Sequence, residues 1–320
     1  MSVVTPYYNT AEFLEEAIVS VLNQTFTDFE YILLDNCSTD GGAAIAERYA
    51  RQDSRIRLEH NVAHLPEADA NFSEGFRRIA PGVEYAKMVL ADDVIFPHCL
   101  EAMVAAGDAH PSAGIISSYR LKGDEVMGQG LAWPLTFLDG RSTARRHLLE
   151  EIFLFGTQST VMFRADIVRS TFPFFDPLVE HADTEACYRT LRDSDFAFVH
   201  QVLSFSRVRT RSVSGHVNDL YPQPLDKFVI VAKFGRDILS DAEYREVERR
   251  VRRRYFDMLG SAWLARRDAR FWDYHRRWLA SIGRSVPRLA LWPHVLRAIA
   301  EVVLNPLNTL VGLRQRLTRW

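Results

Sequence analysis

Two acids stand side by side in the stretch VLADDVIFP, residues 89–97: Asp92 and Asp93, after one apolar run and before another. Adjacent like charges repel, so a buried strand ending on them implies a cation held there. A second acid, Asp35, closes the apolar run FEYILLD, and Asp40 follows five residues on. A third polar cluster, Thr5, Pro6, Tyr7 and Asn9, ends the first β-rich run. All three clusters sit where a strand gives way to a loop.

The elements that position them follow from periodicity. SVVTP is a short strand, and in residues 11–24 Phe13, Leu14, Ala17, Ile18, Val21 and Leu22 fall on one helical face. Residues 29–35 read as a strand, 41–52 as a helix, 56–60 as a strand, 67–80 as a helix and 85–90 as a strand. A helix opening at Pro97 and a strand over 113–121 complete this third of the chain. Such a β-α-β-α rhythm predicts an α/β fold with a mainly parallel sheet flanked by helices. In such sheets ligands bind beyond the carboxyl ends of the strands. Residues 5–9, 35–40 and 91–93 therefore belong along one edge.

The middle is less regular. Residues 123–140 read as loop, 141–156 as helix, 159–164 as strand and 182–193 as helix, with two strands at 196–200 and 204–209. From 221 the strands stop, and helices are expected at 222–238, 241–267, 269–282 and 289–304. Two regions result: 1–220, with a binding part at 1–118 and a catalytic part at 119–220, and a helical C-terminal region at 221–320. Charge follows the same division. Residues 221–320 carry 20 Lys and Arg against 10 Asp and Glu, and the remainder carries 19 against 31. A basic tail on an acidic body suits contact with an anionic surface. In residues 310–320 Leu310, Leu313, Leu317 and Trp320 recur at helical spacing beside Arg314, Arg316 and Arg319. Apolar residues with Trp and Arg form the pattern of an interfacial helix, so residues 286–320 are candidates for membrane-surface contact.

Composition excludes several classes. At 47% hydrophobic and 25% charged, the chain is ordinary for a soluble globular protein. Cys37, Cys99 and Cys187 show no metal spacing and read as reduced thiols of a cytoplasmic protein. No secretory leader and no apolar run of membrane-spanning length is expected. There is no Gly-x-Gly-x-x-Gly after the first strand, no P-loop and no Gly-x-Ser-x-Gly elbow. The arginines form no nucleic-acid-binding module.

Taken in order, the motifs resemble family 2 glycosyltransferases of the GT-A fold. Pro6-Tyr7-Tyr8-Asn9, the run from Ser20 to Glu30, Asp35-Asn36-Cys37-Ser38-Thr39-Asp40, LADD and EHADTEACYR match that family's pattern in order and spacing, over about two thirds of the chain. The resemblance implies sugar transfer from a nucleotide-diphosphate donor, a UDP-sugar by preference, to a hydroxyl on a glycan or lipid-linked acceptor, as in the synthesis of bacterial-type surface polysaccharide. It assigns Thr5, Pro6, Tyr7, Asn9, Asp35, Asn36 and Asn71 to the nucleotide slot. Asp92 goes to the ribose and metal, and Asp93 mainly to Mn2+ or Mg2+. A divalent ion neutralises charge developing on the leaving diphosphate, and hard cations take carboxylate oxygens. Asp183 is the implied base of an inverting displacement, with Glu180 and Glu185 as weaker candidates, while His181 reads as an exposed or packing histidine. Read from its residues alone, Asp183 also suits a helix N-cap. The segment with Gly156 and Arg164 is expected to floor the acceptor region, and Arg77 and Arg78 to be solvated.

Three departures stand out. The first acid of the longer acidic pattern is Leu90, the second Asp of the earlier motif is Asn36, and Arg209 stands where relatives place a metal-binding His. Arg209 can pair with diphosphate but not with a cation. They leave open a catalytically silent sugar-nucleotide-binding or scaffold protein. A nucleotidyltransferase is the other rival, although TPYYNTAEF lacks its Gly- and Arg/Lys-rich loop.

Overall fold

A computed structural model describes residues 1–150, 152–177, 181–208, 220–286 and 288–304. It divides into two compact units, Met1–Val213 and Ser214–Trp320.

The first unit begins with β1 (Ser2–Tyr7), α1 (Ala11–Leu22), β2 (Glu30–Asp35), α2 (Gly42–Ala50), β3 (Ile56–His60), α3 (Ala68–Arg77) and β4 (Tyr85–Met88). β1 is buried along its whole length, as a parallel strand covered on both faces must be. α1 buries Leu14, Ala17, Ile18 and Val21, the stripe that its sequence spacing predicts. On the other face α3 lies directly on β1. A Cβ at Gly75 would come within 2.8 Å of Val4 Cγ1, so only glycine allows that approach.

The second half of the unit runs β5 (Val94–Ile95), α4 (Cys99–Ala109), β6 (Ala113–Lys122), β7 (Glu125–Met127), β8 (Phe137–Leu138), α5 (Gly140–Glu150), β9 (Met162–Arg164), α6 (Ala165–Ser170), α7 (Ala182–Leu191) and β10 (Asp195–Ser206). The strand order is β3-β2-β1-β4-β9-β6-β10-β5, with β7 on β6 and β8 on β10. β1 to β4 are parallel, and β9 runs antiparallel between β4 and β6. The mainly parallel sheet is as expected.

Several local expectations are corrected. The stretch 123–140 is not all loop: β7 and β8 are short pairings that add edges to longer strands. The two strands expected at 196–200 and 204–209 are one strand, β10, whose register against β6 shifts between Val199 and Val202. A bulge of this kind breaks the alternation that marks a strand in sequence. The helix expected at Pro97 begins at Cys99, with His98 as its N-cap.

The second unit is helical: α8 (Pro222–Ile238), α9 (Asp241–Leu264), α10 (Ala269–Ser281) and α11 (Arg288–Leu304). These bounds follow the sequence closely, and at α9 and α10 side-chain caps fix the start. Ser240 and Glu243 form a reciprocal capping box before α9, and the Asp268 carboxylate accepts from Phe271 N–H at 3.0 Å before α10. A Cβ at Gly260 would sit 2.7 Å from the His294 carbonyl carbon, so α9 and α11 cross there backbone to backbone. His275 on α10 is fully buried, bonded to Tyr255 OH on α9 at 3.0 Å and to Leu220 O at 2.9 Å.

Candidate functional site

Sheet register aligns the chemistry. Lys87 on β4 pairs with Met162, and Met162 pairs with Ile116 on β6. Four residues further along each parallel strand direction lie Ala91 and Arg120, so Arg120 is level with the Asp92–Asp93 turn. On β6's other side Ser204 is the register partner of Arg120.

The turn itself is anchored from below. The Lys87 ammonium, fully buried, donates to Ser159 O at 2.8 Å, and burial pulls its pKa down. Leu90 N–H donates to Ser159 Oγ at 3.0 Å, so the residue standing in place of the missing acid helps to hold the turn. Asp93 is 5% exposed, and its carboxylate accepts from Ser206 Oγ at 3.3 Å. Burial pushes its carboxyl up to about 6. The Asp92 charge adds to that rise, while Ser159, Arg120 and Ser206 oppose it. Asp92 is the more open of the two.

A cation would relieve this repulsion, and both groups offer hard oxygens. Among the described residues no cluster of three or more His, Cys, Asp or Glu is placed to hold a metal ion alone. The pair therefore fits a divalent ion whose shell is completed by phosphate oxygens and water.

The first slot differs in detail from expectation. Thr5 is fully buried, its hydroxyl 2.9 Å from Tyr31 OH. Tyr7 lies on the same strand face, 2% exposed and packed near Gly42. Pro6 faces the other way and is buried too. Their side chains build the sheet, and only backbone at the strand end faces the loop. The open aromatic is Tyr8, 43% exposed, which stacks on His64 with ring centroids 4.2 Å apart. Strand alternation carried this signal, since Thr5 and Tyr7 must share a face and leave Tyr8 beyond the end.

Asn9 accepts from Thr39 N–H at 2.8 Å and Asp35 from Ser38 N–H at 2.9 Å, which lock the two loops. The Asp35 turn is the local bond that Asp favours at strand ends. Asn36 is used up inside the protein: its amide donates to Leu65 O at 2.8 Å and accepts from Leu65 N–H and Asn61 Nδ2, each at 2.9 Å. Asn61 Nδ2 also donates to Asn71 Oδ1 at 2.9 Å. Asn36 and Asn71 thus hold the loop that carries His64. Arg78, expected to be solvated, joins the same network through Asn61 Oδ1 at 3.2 Å and His60 O at 3.1 Å. Cys37 has φ 65°, a left-handed conformation that favours glycine, and glycine is what the resembling motif carries there.

Asp183 lies in the first turn of α7 and accepts from Thr184 N–H at 2.7 Å, while the N-cap is His181, φ 54°. The charges of Asp93 and Asp183 both act on the Arg120 guanidinium. Sequence reasoning passed over Arg120, although an arginine near the carboxyl end of a strand was a visible signal. Glu185 is taken by Arg189, at 2.6 Å. Arg164 is not at this edge: it pairs with Tyr85 at the start of β4 and donates to Gly107 O at 3.0 Å, where it ties α4 to the sheet. Arg209 and Glu180 lie outside the described residues.

The model of the family described as glycosyl transferase family 2 matches residues 2–172. The chain belongs to that family. Glycosyltransferase GlyG of Streptococcus pneumoniae is 32% identical to it over 119 residues, 37% of this chain and 38% of that protein. The poly(ribitol-phosphate) beta-N-acetylglucosaminyltransferase TarP of Staphylococcus aureus is 25% identical over 170 residues, 52% of this chain and 50% of that protein. The chain thus spans half or less of the length of these relatives. Among solved structures, S. aureus TarS residues 1–349 with UDP-GlcNAc superposes with a TM-score of 0.65 at 17% identity, over 89% of this chain and 81% of that one. The Pyrobaculum calidifontis mannosyltransferase PcManGT with GDP-Man and Mn2+ gives 0.56 at 16% identity, over 99% and 84%. The fold is GT-A.

Proposed function

We propose that the chain is an inverting glycosyltransferase that moves a sugar from a nucleotide-diphosphate donor, a UDP-sugar by preference, to a hydroxyl acceptor. One observation carries this most: the charges of Asp93, in the acidic turn, and of Asp183, in the first turn of α7, both act on the buried Arg120. Tyr8 and His64 wall the base. Asp92, the open acid, with Asp93 behind it, would hold Mn2+ or Mg2+, which when bound neutralises charge on the departing diphosphate. Asp183 takes the acceptor hydroxyl's proton as that oxygen bonds to the anomeric carbon and the bond to the phosphate oxygen breaks. The hydrogen bond from Thr184 N–H holds its carboxylate in place. TarP's named activity and the UDP-GlcNAc in the TarS structure support a surface-glycan acceptor and a UDP-sugar. A screen of UDP-, GDP- and TDP-sugars with Mn2+ or Mg2+, read as nucleotide release dependent on acceptor, tests this. Donor bound but never turned over would favour the silent-protein alternative.

The second unit supports contact with a membrane surface. On α11, Leu289, Trp292, Leu296, Ile299 and Val303 recur three or four residues apart and are 84, 50, 60, 40 and 67% exposed. Arg249, Arg250, Arg253, Arg254 and Arg297, with Glu246 and Asp257, line a cleft of about 430 Å³ in the same unit, five cations to two acids. An apolar stripe with neighbouring arginines suits an anionic bilayer. Among the described residues no helix is long and apolar enough to cross a membrane. The stripe at 310–320 lies outside the described residues.

A further inference from the structure

Arg120 is 6% exposed, yet among the described residues its side chain makes no hydrogen bond and no ion pair, and its Nε is buried without a partner. A guanidinium carries five donors, and burying even the Nε–H unmet is costly. Arginines placed for the fold alone look different in this protein. Arg55 is paired with Asp53 at 2.7 Å, and Arg164 donates to two backbone carbonyls. The register partner of Arg120, Ser204, is also buried, at 1% exposed, with its hydroxyl unpartnered among the described residues. Two buried polar groups without partners thus stand on neighbouring strands, as register partners on β6 and β10. Native proteins keep few such groups, each for a reason, and a ligand that completes them is one.

Position says which part of the ligand. The charges of Asp93 and Asp183 both act on Arg120, yet neither acid pairs with it within 4.0 Å. Asp93 belongs to the side where the diphosphate leaves, and Asp183 to the side where the acceptor enters. In a single displacement the transferred sugar lies between leaving and attacking oxygens. We propose that Arg120 grips the transferred sugar, donating its guanidinium N–H groups to that sugar's oxygens and so fixing the anomeric carbon between the phosphate and Asp183. This rests on the donor class proposed above.

The test separates nucleotide from sugar. Wild type, Arg120→Lys and Arg120→Met are titrated calorimetrically with UDP and UDP-GlcNAc, and with GDP and GDP-mannose, each with Mn2+. Binding of at least one pair by wild type is the requirement of the functional reading, and its absence would remove that reading. With the pair that binds, both variants should hold the free nucleotide within about 2-fold and lose about 10-fold or more in affinity for the sugar nucleotide. Retained nucleotide affinity also shows that the variant is folded. Equal losses for nucleotide and sugar nucleotide would assign Arg120 to the diphosphate or to the fold. No loss for either would leave it without a role in binding. Both results overturn the inference.

Discussion

At the residue scale, the site depends on which side chains are spent inside the protein and which are left over. Tyr7 and Asn36 match the motif but are spent, one in the core and the other on Leu65. Tyr8 and Arg120 are left over. Sequence located the strand ends but not this partition, because a side chain's bonds depend on loops distant in the chain. Tyr8→Ala should weaken nucleotide binding about 10-fold, the loss expected from one stacking partner, while Tyr7→Phe leaves it unchanged in the same titration. Equal effects would return Tyr7 to the slot. At Cys37, φ 65° strains any residue with a Cβ. Cys37→Gly should therefore raise stability to thermal or urea unfolding by about 1 kcal/mol. A loss instead would mean that the Cys37 thiol bond to Asn61 O matters more.

At the element scale, long amphipathic helices and buried parallel strands were legible because one period governs each. The four C-terminal helices were legible to within three residues, helped at α9 and α10 by capping chemistry that is local. β5, β7, β8 and the bulge of β10 were not, since two or three residues paired through tertiary contacts carry no period of their own. Gln24 shows how an element is aimed. Its amide donates to Ser20 O and Phe96 O, each at 2.9 Å, and accepts from Leu100 N–H at 3.0 Å, so α1 is tied to the segment just after the acidic turn. Gln24→Ala should cost about 2–3 kcal/mol of stability and lower turnover more than nucleotide binding. An unchanged melting temperature would refute that tie. Burial pulls the His275 pKa from 6.5 down to about 4, so the folded helices keep it neutral. Its contribution is complete above pH 6.5 and is lost as pH falls towards 4, because the unfolded chain takes the proton first. The loss is on the order of 2–3 kcal/mol. Five of the six tryptophans lie beyond residue 220, so tryptophan fluorescence follows this unit. His275→Gln should flatten that acid limb, and a limb unchanged by the substitution would place the titration elsewhere.

At the scale of the whole molecule, the charge split seen in sequence corresponds to two units of different architecture. The sequence cue for membrane contact was the final stripe, whereas the exposed stripe now described is on α11. Residues 289–304 read in sequence as a helix within the candidate region 286–320, but which of its faces is exposed is not written in periodicity. Wild type should co-sediment with liposomes containing anionic lipid at low salt, and Trp292→Glu with Leu296→Glu should release it. Wild type left in the supernatant would remove the membrane reading and leave the transferase chemistry intact.

That chemistry turns on Asp183. The most direct test compares wild type with Asp183→Asn, using the donor and acceptor that wild type uses, with nucleotide affinity measured beside transfer. The variant should bind nucleotide within about 2-fold of wild type and transfer sugar about 10²–10⁴ times more slowly. Full transfer by Asp183→Asn would contradict the assignment of the base and the single displacement built on it.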